Sequence, residues 1–220
     1  MTARNAFDAE LDALNLELIK MGGLIEEAIE NGVAAFKNQD IALARAVEDG
    51  EETINNMEKQ IEARCLSLII RQQPVAKDLR LISAALKVIT DMERIGDNAE
   101  DIAKLSVAIK GEHIFDVVRH IPKMSEYAVK MVHDAVTAFV NHDMDLARIT
   151  ISTDDVVDDL FCDVKAEISD VLRRDMDTHN NTVDFLMIAK YLERIADHAV
   201  NICEWAEFSQ TGKHKDKQIL

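Results

Sequence analysis

Glu93-Arg-Ile-Gly-Asp97-Asn-Ala-Glu-Asp101-Ile-Ala103 returns one hundred positions later as Glu193-Arg-Ile-Ala-Asp197-His-Ala-Val-Asn201-Ile-Cys203. A repeat of that period is a domain-sized unit used twice, far longer than the ~20–50 residues of a solenoid repeat. Residues four apart share a helix face, so Glu93, Asp97 and Asp101 line one stripe and Glu193, Asp197 and Asn201 line another. Like charges at that spacing cost an isolated helix roughly 0.2–0.5 kcal/mol per pair. A hard cation is the simplest way to offset that cost.

The flanking sequence is helical throughout. Leu11, Leu14, Leu18, Met21, Ile25, Ile29, Val33 and Phe36 recur at three- and four-residue steps, predicting a first helix from about Phe7 to Lys37 behind a polar lead-in. Gly22-Gly23 interrupts it, to admit a neighbouring helix or to bend this one. Asp40 is a natural N-cap for a second helix over about 41–71, with Leu43, Val47, Ile54, Met57, Ile61, Leu68 and Ile69 buried. Pro74 breaks the chain before a third helix from about Val75 to Lys110, stopped by Gly111. On it Ile82, Leu86 and Ile89 run directly into Glu93, Asp97 and Asp101. A face that starts as core is not expected to end as plain solvated surface.

The second half repeats the plan with helices from Ile114 or Pro122 to Val140, about Leu146 to Asp175, and about Thr182 to Phe208. Asp143-Met-Asp-Leu-Ala-Arg148 echoes Asp40-Ile-Ala-Leu-Ala-Arg45 at an offset of 103, so three residues are lost from the second copy before its acidic stripe. The fold class is all-α: two tandem three-helix bundles, residues 1–111 and 112–209, with a disordered polar tail over 210–220. No strand-period segment or hairpin signal competes.

A formal charge of −16 excludes nucleic acid as a direct partner, which would need Lys and Arg on phosphates, and favours cations or a basic protein surface. Three distant cysteines, Cys65, Cys162 and Cys203, make neither a disulfide framework nor a thiolate zinc site and read as buried small hydrophobes. No apolar run reaches the ~18 residues of a membrane span and no signal peptide opens the chain, so the expected location is cytoplasmic, with membrane association only through partners.

Each repeat carries a second acidic cluster on its middle helix. By the 103 offset Glu51 matches Asp154 and Asn55 matches Asp158, each an i,i+4 oxygen pair. Neighbouring antiparallel helices bring Glu51 and Asn55 toward Glu93, Asp97 and Asp101, and Asp154 and Asp158 toward Glu193, Asp197 and Asn201. Such oxygen sets suit magnesium, calcium, manganese or iron better than zinc or copper. Acidic runs on helices are commonly solvated faces; repetition in register tips the reading to metal. No catalytic set is present: the acidic motifs lack Glu-x-x-His, and there is no Gly-rich phosphate loop, nucleophile elbow or Cys-His couple. His198 lends a nitrogen or faces solvent, and the other histidines read as surface residues.

Glu93-Arg-Ile-Gly-Asp97 and Tyr191-Leu-Glu193-Arg-Ile-Ala-Asp197-His-Ala resemble the paired motifs of the PhoU family. Arg71-Gln-Gln-Pro74-Val-Ala-Lys-Asp78-Leu-Arg80 is similar to the segment before the first motif, and Asp154-Asp-x-x-Asp158-Asp159-Leu160 to its counterpart in the second repeat. The resemblance runs from about Leu11 to Trp205. It implies paired three-helix bundles that bind metal clusters, iron or zinc among them, through Glu51/Asn55, Glu93/Asp97/Asp101, Asp154/Asp158 and Glu193/Asp197/Asn201. Manganese and magnesium stay among the metals considered. Asn55 and Asn201 depart from the acidic pattern, so the two sites are expected to differ in charge. The resemblance further implies a non-catalytic negative regulator of phosphate-starvation signalling and phosphate uptake. Such a regulator links a phosphate ABC transporter to a sensor histidine kinase, as a homodimer. The competing readings are a metal-storage bundle unconnected with phosphate and a scaffold that binds no metal.

Overall fold

In a computed structural model of the chain, residues 3–109, 118–174, 181–215 and 217–219 are described. Six helices account for nearly all of them: α1 Ala3–Asn38, α2 Ile41–Gln72, α3 Lys77–Ala108, α4 Ile121–Asn141, α5 Met144–Arg174 and α6 Thr182–Thr211. The expected stop at Gly111 and the 111/112 boundary lie outside the described residues. Among the described residues no helix is long and apolar enough to cross a membrane.

The two repeats build the same turn from the same chemistry. Asp40 Oδ1 accepts from the backbone N–H groups of Ala42 and Leu43, both at 3.0 Å. Asp143 Oδ1 accepts from Asp145 and Leu146 at 3.1 and 2.9 Å. Each cap satisfies two of the orphan donors that open a helix. The residues before them, Gln39 and His142, both take left-handed backbone conformations (φ 52° and 57°). In the second repeat the helix start resolves to Ile121, with Pro122 in the first turn, where its missing N–H costs nothing.

Packing then fuses the bundles. Within each repeat the three helices lie against one another, and α3 runs along α6 while α1 meets α4, so one continuous apolar core draws on all six helices. Gly22 sets one of these approaches: a Cβ there would stand 3.3 Å from Val136 of α4. Of the two sequence alternatives, close approach is the one realised, and α1 is a single helix. Leu43 and Ile69 are half-buried rather than buried.

Three expectations are corrected. The N-terminal lead-in is helical from Ala3, because Phe7 is buried and carries the first turns onto the core. The tail is not free: Lys213–His214 pairs antiparallel with Lys217–Gln218, the Ile219 N–H donates to Gly212 O at 3.0 Å, and His214 meets Trp205 edge-on at 3.9 Å. Cys162 is exposed on α5, whereas Cys65 and Cys203 are buried as expected.

Candidate functional site

On α3, Ile82 and Ile89 are buried and the same stripe continues into the half-buried carboxylates Glu93 and Asp97. Gly96 lets α2 come close here, since a Cβ on it would stand 3.1 Å from Ile54. The α2 acids consequently act on α3. Burial first, then the charge of Asp97, and then those of Glu58 and Glu51, push the Glu93 carboxyl pKa up, against the pull of Arg94. Asn55 Nδ2 donates to Glu51 Oε1. Arg94 reaches Asp97 at 3.0 Å and Glu93 at 3.4 Å. Glu58 is a site neighbour that sequence reasoning missed. Its signal was available, because it stands seven residues, two helical turns, beyond Glu51 on the same face.

The second stripe repeats the convergence with more strain on one group. Asp154 on α5 has its pKa pushed up to about 6 by burial, then by Asp197, Asp158, Glu193 and Asp155 in turn. Asp197 is also raised, by burial and then by Glu193, with Asp158 adding and Lys190 opposing. Lys190 bonds Glu193 and stands 5.5 Å from the ring of Phe161. The 103 offset places Phe161 where the first repeat has Glu58, and the 100 offset places Lys190 where it has Thr90. Glu58 in the first stripe thus makes up for the neutral Asn55, so each stripe gathers four carboxylates, and the second contains its own ammonium.

Asp101 and Asn201 part company with both stripes. Two i,i+4 steps turn a helix about 80° past its starting face, enough to carry these residues to the contact between α3 and α6. There Asn201 Nδ2 donates to Asp91 Oδ1 at 3.2 Å, and His198 Nδ1 lies 2.8 Å from the same oxygen. Asp101 faces Tyr191, whose hydroxyl pKa is raised by burial, then by the charge of Asp101 and a hydrogen bond to it. His198 is thus a clasp between repeats. His133 is an exposed partner of Glu26 at 3.2 Å, as expected, whereas His120, 3.0 Å from Glu167, and His142, whose pKa burial lowers, are half-buried rather than surface residues.

The donor chemistry of the stripes fits a hard cation: crowded carboxylates with raised pKa values would be relieved by a nearby positive charge. The ligand geometry is not assembled, since among the described residues no three His, Cys, Asp or Glu side chains gather where they could hold a metal ion. Arg94 and Lys190 already engage Asp97 and Glu193, so coordination would require those carboxylates to turn away from them.

Against known proteins, the model of the PhoU domain matches the chain twice, over residues 18–106 and 121–206. The chain belongs to the PhoU family. The PhoU homolog of Clostridium acetobutylicum, a phosphate-specific transport system accessory protein, is 36% identical over 97% of this chain and 98% of its own length. The accessory protein PhoU of Escherichia coli K12 is 30% identical over 94% and 86%. The crystal structure of PhoU from Pseudomonas aeruginosa superposes with a TM-score of 0.86 at 33% identity, covering 94% of this chain and all of that one. PhoU from Streptococcus pneumoniae, a phosphate transport system regulatory protein, also reaches 0.86 at 27% identity, covering 96% and 100%. The tandem three-helix bundles read from the sequence, of the PhoU type that the resemblance implied, are the fold observed.

Proposed function

We propose that this PhoU-family protein is a negative regulator of phosphate uptake and phosphate-starvation signalling. In this reading it is a cytoplasmic homodimer that connects a phosphate ABC transporter to a two-component sensor histidine kinase. The observation that carries the reading is the match of both repeats to the PhoU domain, alongside relatives, one of them of nearly the same length, described as phosphate-specific transport system accessory proteins. Metal enters the same reading as a structural charge. Glu51, Asn55, Glu93 and Asp97 would hold it in one repeat, and Asp154, Asp158, Glu193 and Asp197 in the other. Iron, zinc, manganese and magnesium are the candidates. Asp101 and Asn201 would join only by leaving Tyr191 and Asp91. A bound cation would neutralise the stripes and tie neighbouring helices into a rigid face for partners. No reaction step is involved.

The test is deletion of the protein and replacement by the variant in which Glu93, Asp97, Glu193 and Asp197 are all alanine. Deletion is expected to raise expression of phosphate-responsive genes in phosphate-rich medium; normal repression there overturns the proposal. Elemental analysis of the purified protein should find stoichiometric metal in the parent and none in the variant. Metal lost with signalling intact would support a metal-binding protein unconnected with phosphate.

A further inference from the structure

Residues 63–77, the end of α2 and the turn into α3, form the longest stretch of this −16 chain without an Asp or Glu, and they carry Arg64, Arg71 and Lys77. The same turn holds the two most exposed aliphatic side chains of the described residues, Ile70 at 75% and Val75 at 74%. The C-terminal hairpin sits beside it: Arg80, in the first turns of α3, donates to Gln210 O at the end of α6 at 3.5 Å. That hairpin adds exposed Lys213 and Lys217 and the exposed Ile219. Asp78 bounds the stretch, and Arg64 is taken up by Glu10 and Glu17 at 2.8 and 2.7 Å, so its exposed outward charges are Arg71 and Lys77. Other acids at this end are engaged locally. Asp143 caps α5, Asp145 pairs with Arg148 at 3.2 Å, and Glu204 with Lys215 at 3.1 Å.

We propose that this end of the molecule docks directly on an anionic phospholipid surface. Ile70 and Val75 enter the interfacial layer, and Arg71, Lys77, Lys213 and Lys217 contact lipid phosphates. Charge distribution supports an end-on approach. Glu93 lies sixteen residues along α3 from Lys77, about 24 Å of helix. That is roughly three Debye lengths at physiological salt, so the acidic stripes are screened from the membrane while the basic tip is not. Shape favours lipid over a protein partner. Ile70 stands in the last turn of α2 and Val75 in the connection to α3, and a depression beside them, about 380 Å³, is lined by Glu10, Arg64 and Arg71 among others rather than by an apolar socket. A second copy in a two-fold contact would bring the same positive end against itself. This contact is independent of any transporter or kinase and revises the expectation that membrane association comes only through partners.

The test is flotation of the full chain with vesicles of phosphatidylcholine alone or with about one-third phosphatidylglycerol, at low salt and at ~0.5 M NaCl. The parent is expected to float with the anionic vesicles at low salt only. Arg71→Glu with Lys77→Glu should lower the bound fraction at least about tenfold. Ile70→Ser with Val75→Ser should lower it at least about fivefold. Val183→Ser, comparably exposed at 67% but at the end of α6 opposite the hairpin, should float like the parent. Thermal melts of all variants should match the parent, since every site is on the surface. A parent that ignores anionic vesicles overturns the proposal. So does an Ile70/Val75 variant that binds undiminished. Failure on vesicles, with charge-reversal-sensitive sedimentation on native membranes, assigns the surface to a membrane protein and also overturns it.

Discussion

Asp91 of α3 accepts from Asn201 of α6 at 3.2 Å, and the residues one hundred positions on from the first and back from the second, Tyr191 and Asp101, face each other in turn. The two repeats are therefore joined by a polar pair used twice about a pseudo-two-fold axis, and one copy also holds His198. Asp91→Ala should destabilise the chain by about 1–3 kcal/mol, because it strands donors from both Asn201 and His198 in a half-buried interface. Each kcal/mol should lower Tm by about 2–4 °C in a chain of this size. A double-mutant cycle with Asn201→Ala should return a coupling of about 1 kcal/mol; additivity would show that the bond contributes nothing.

How far the sequence reached depended on the range of the interaction. The helices, their shared Asp caps and the in-register acidic repeat are local patterns, and Asp40 and Asp143 cap as their positions require. Tertiary effects were not legible. Nothing local announces that Phe7 will be buried and extend α1, or that Trp205 will seat His214 and order the tail. The stripes were legible for one i,i+4 step but not two, since the drift of the helix moved Asp101 and Asn201 to the other repeat. Lys190, which engages Glu193 inside the second stripe, was not weighed as a competitor for its carboxylates.

The glycines separate into two kinds that substitution can tell apart. A Cβ on Gly23 or Gly50 meets nothing within 4 Å, whereas on Gly32 it would meet the backbone oxygen of Ala99 at 3.1 Å. Gly23→Ala and Gly50→Ala should each stabilise by about 0.5–1 kcal/mol through helix propensity. Gly32→Ala should cost about 1–3 kcal/mol, because α3 must shift to admit the methyl group. Urea titration reads both signs, and a stabilising Gly32→Ala would contradict the closeness of α1 and α3.

Asp154 gives the pH dependence a definite sign. Its folded pKa, about 6, lies above the ordinary 3.8, so the folded state holds the proton more tightly than the unfolded chain. This group's contribution to stability falls as pH rises from about 4 through 6, and the full penalty is present at pH 7. Asp154→Asn removes the charge that Asp197, Asp158 and Glu193 repel. In the presence of a chelator the variant should melt higher than the parent at pH 7, and the gap should close toward pH 4. A variant less stable than the parent at pH 7 would mean that a partner of the Asp154 charge outweighs its crowding.

The three thiols provide a probe of how the helices open. Cys162 is exposed, while Cys65 on α2 and Cys203 on α6 are buried, and burial is the main cause pushing both of their pKa values to about 12. Since the thiolate is the reactive form, only Cys162 should react promptly with a disulfide reagent at about pH 8 in the folded protein. Cys65 and Cys203 must wait for α2 or α6 to leave the core, so their labelling rates should track the population of opened states and rise together with urea. Mass spectrometry of labelled peptides assigns each site. Prompt labelling of Cys203 alone would show that α6 opens without global unfolding, and the clasp from Asn201 and His198 to Asp91 would then be too weak to hold the two repeats as one cooperative unit.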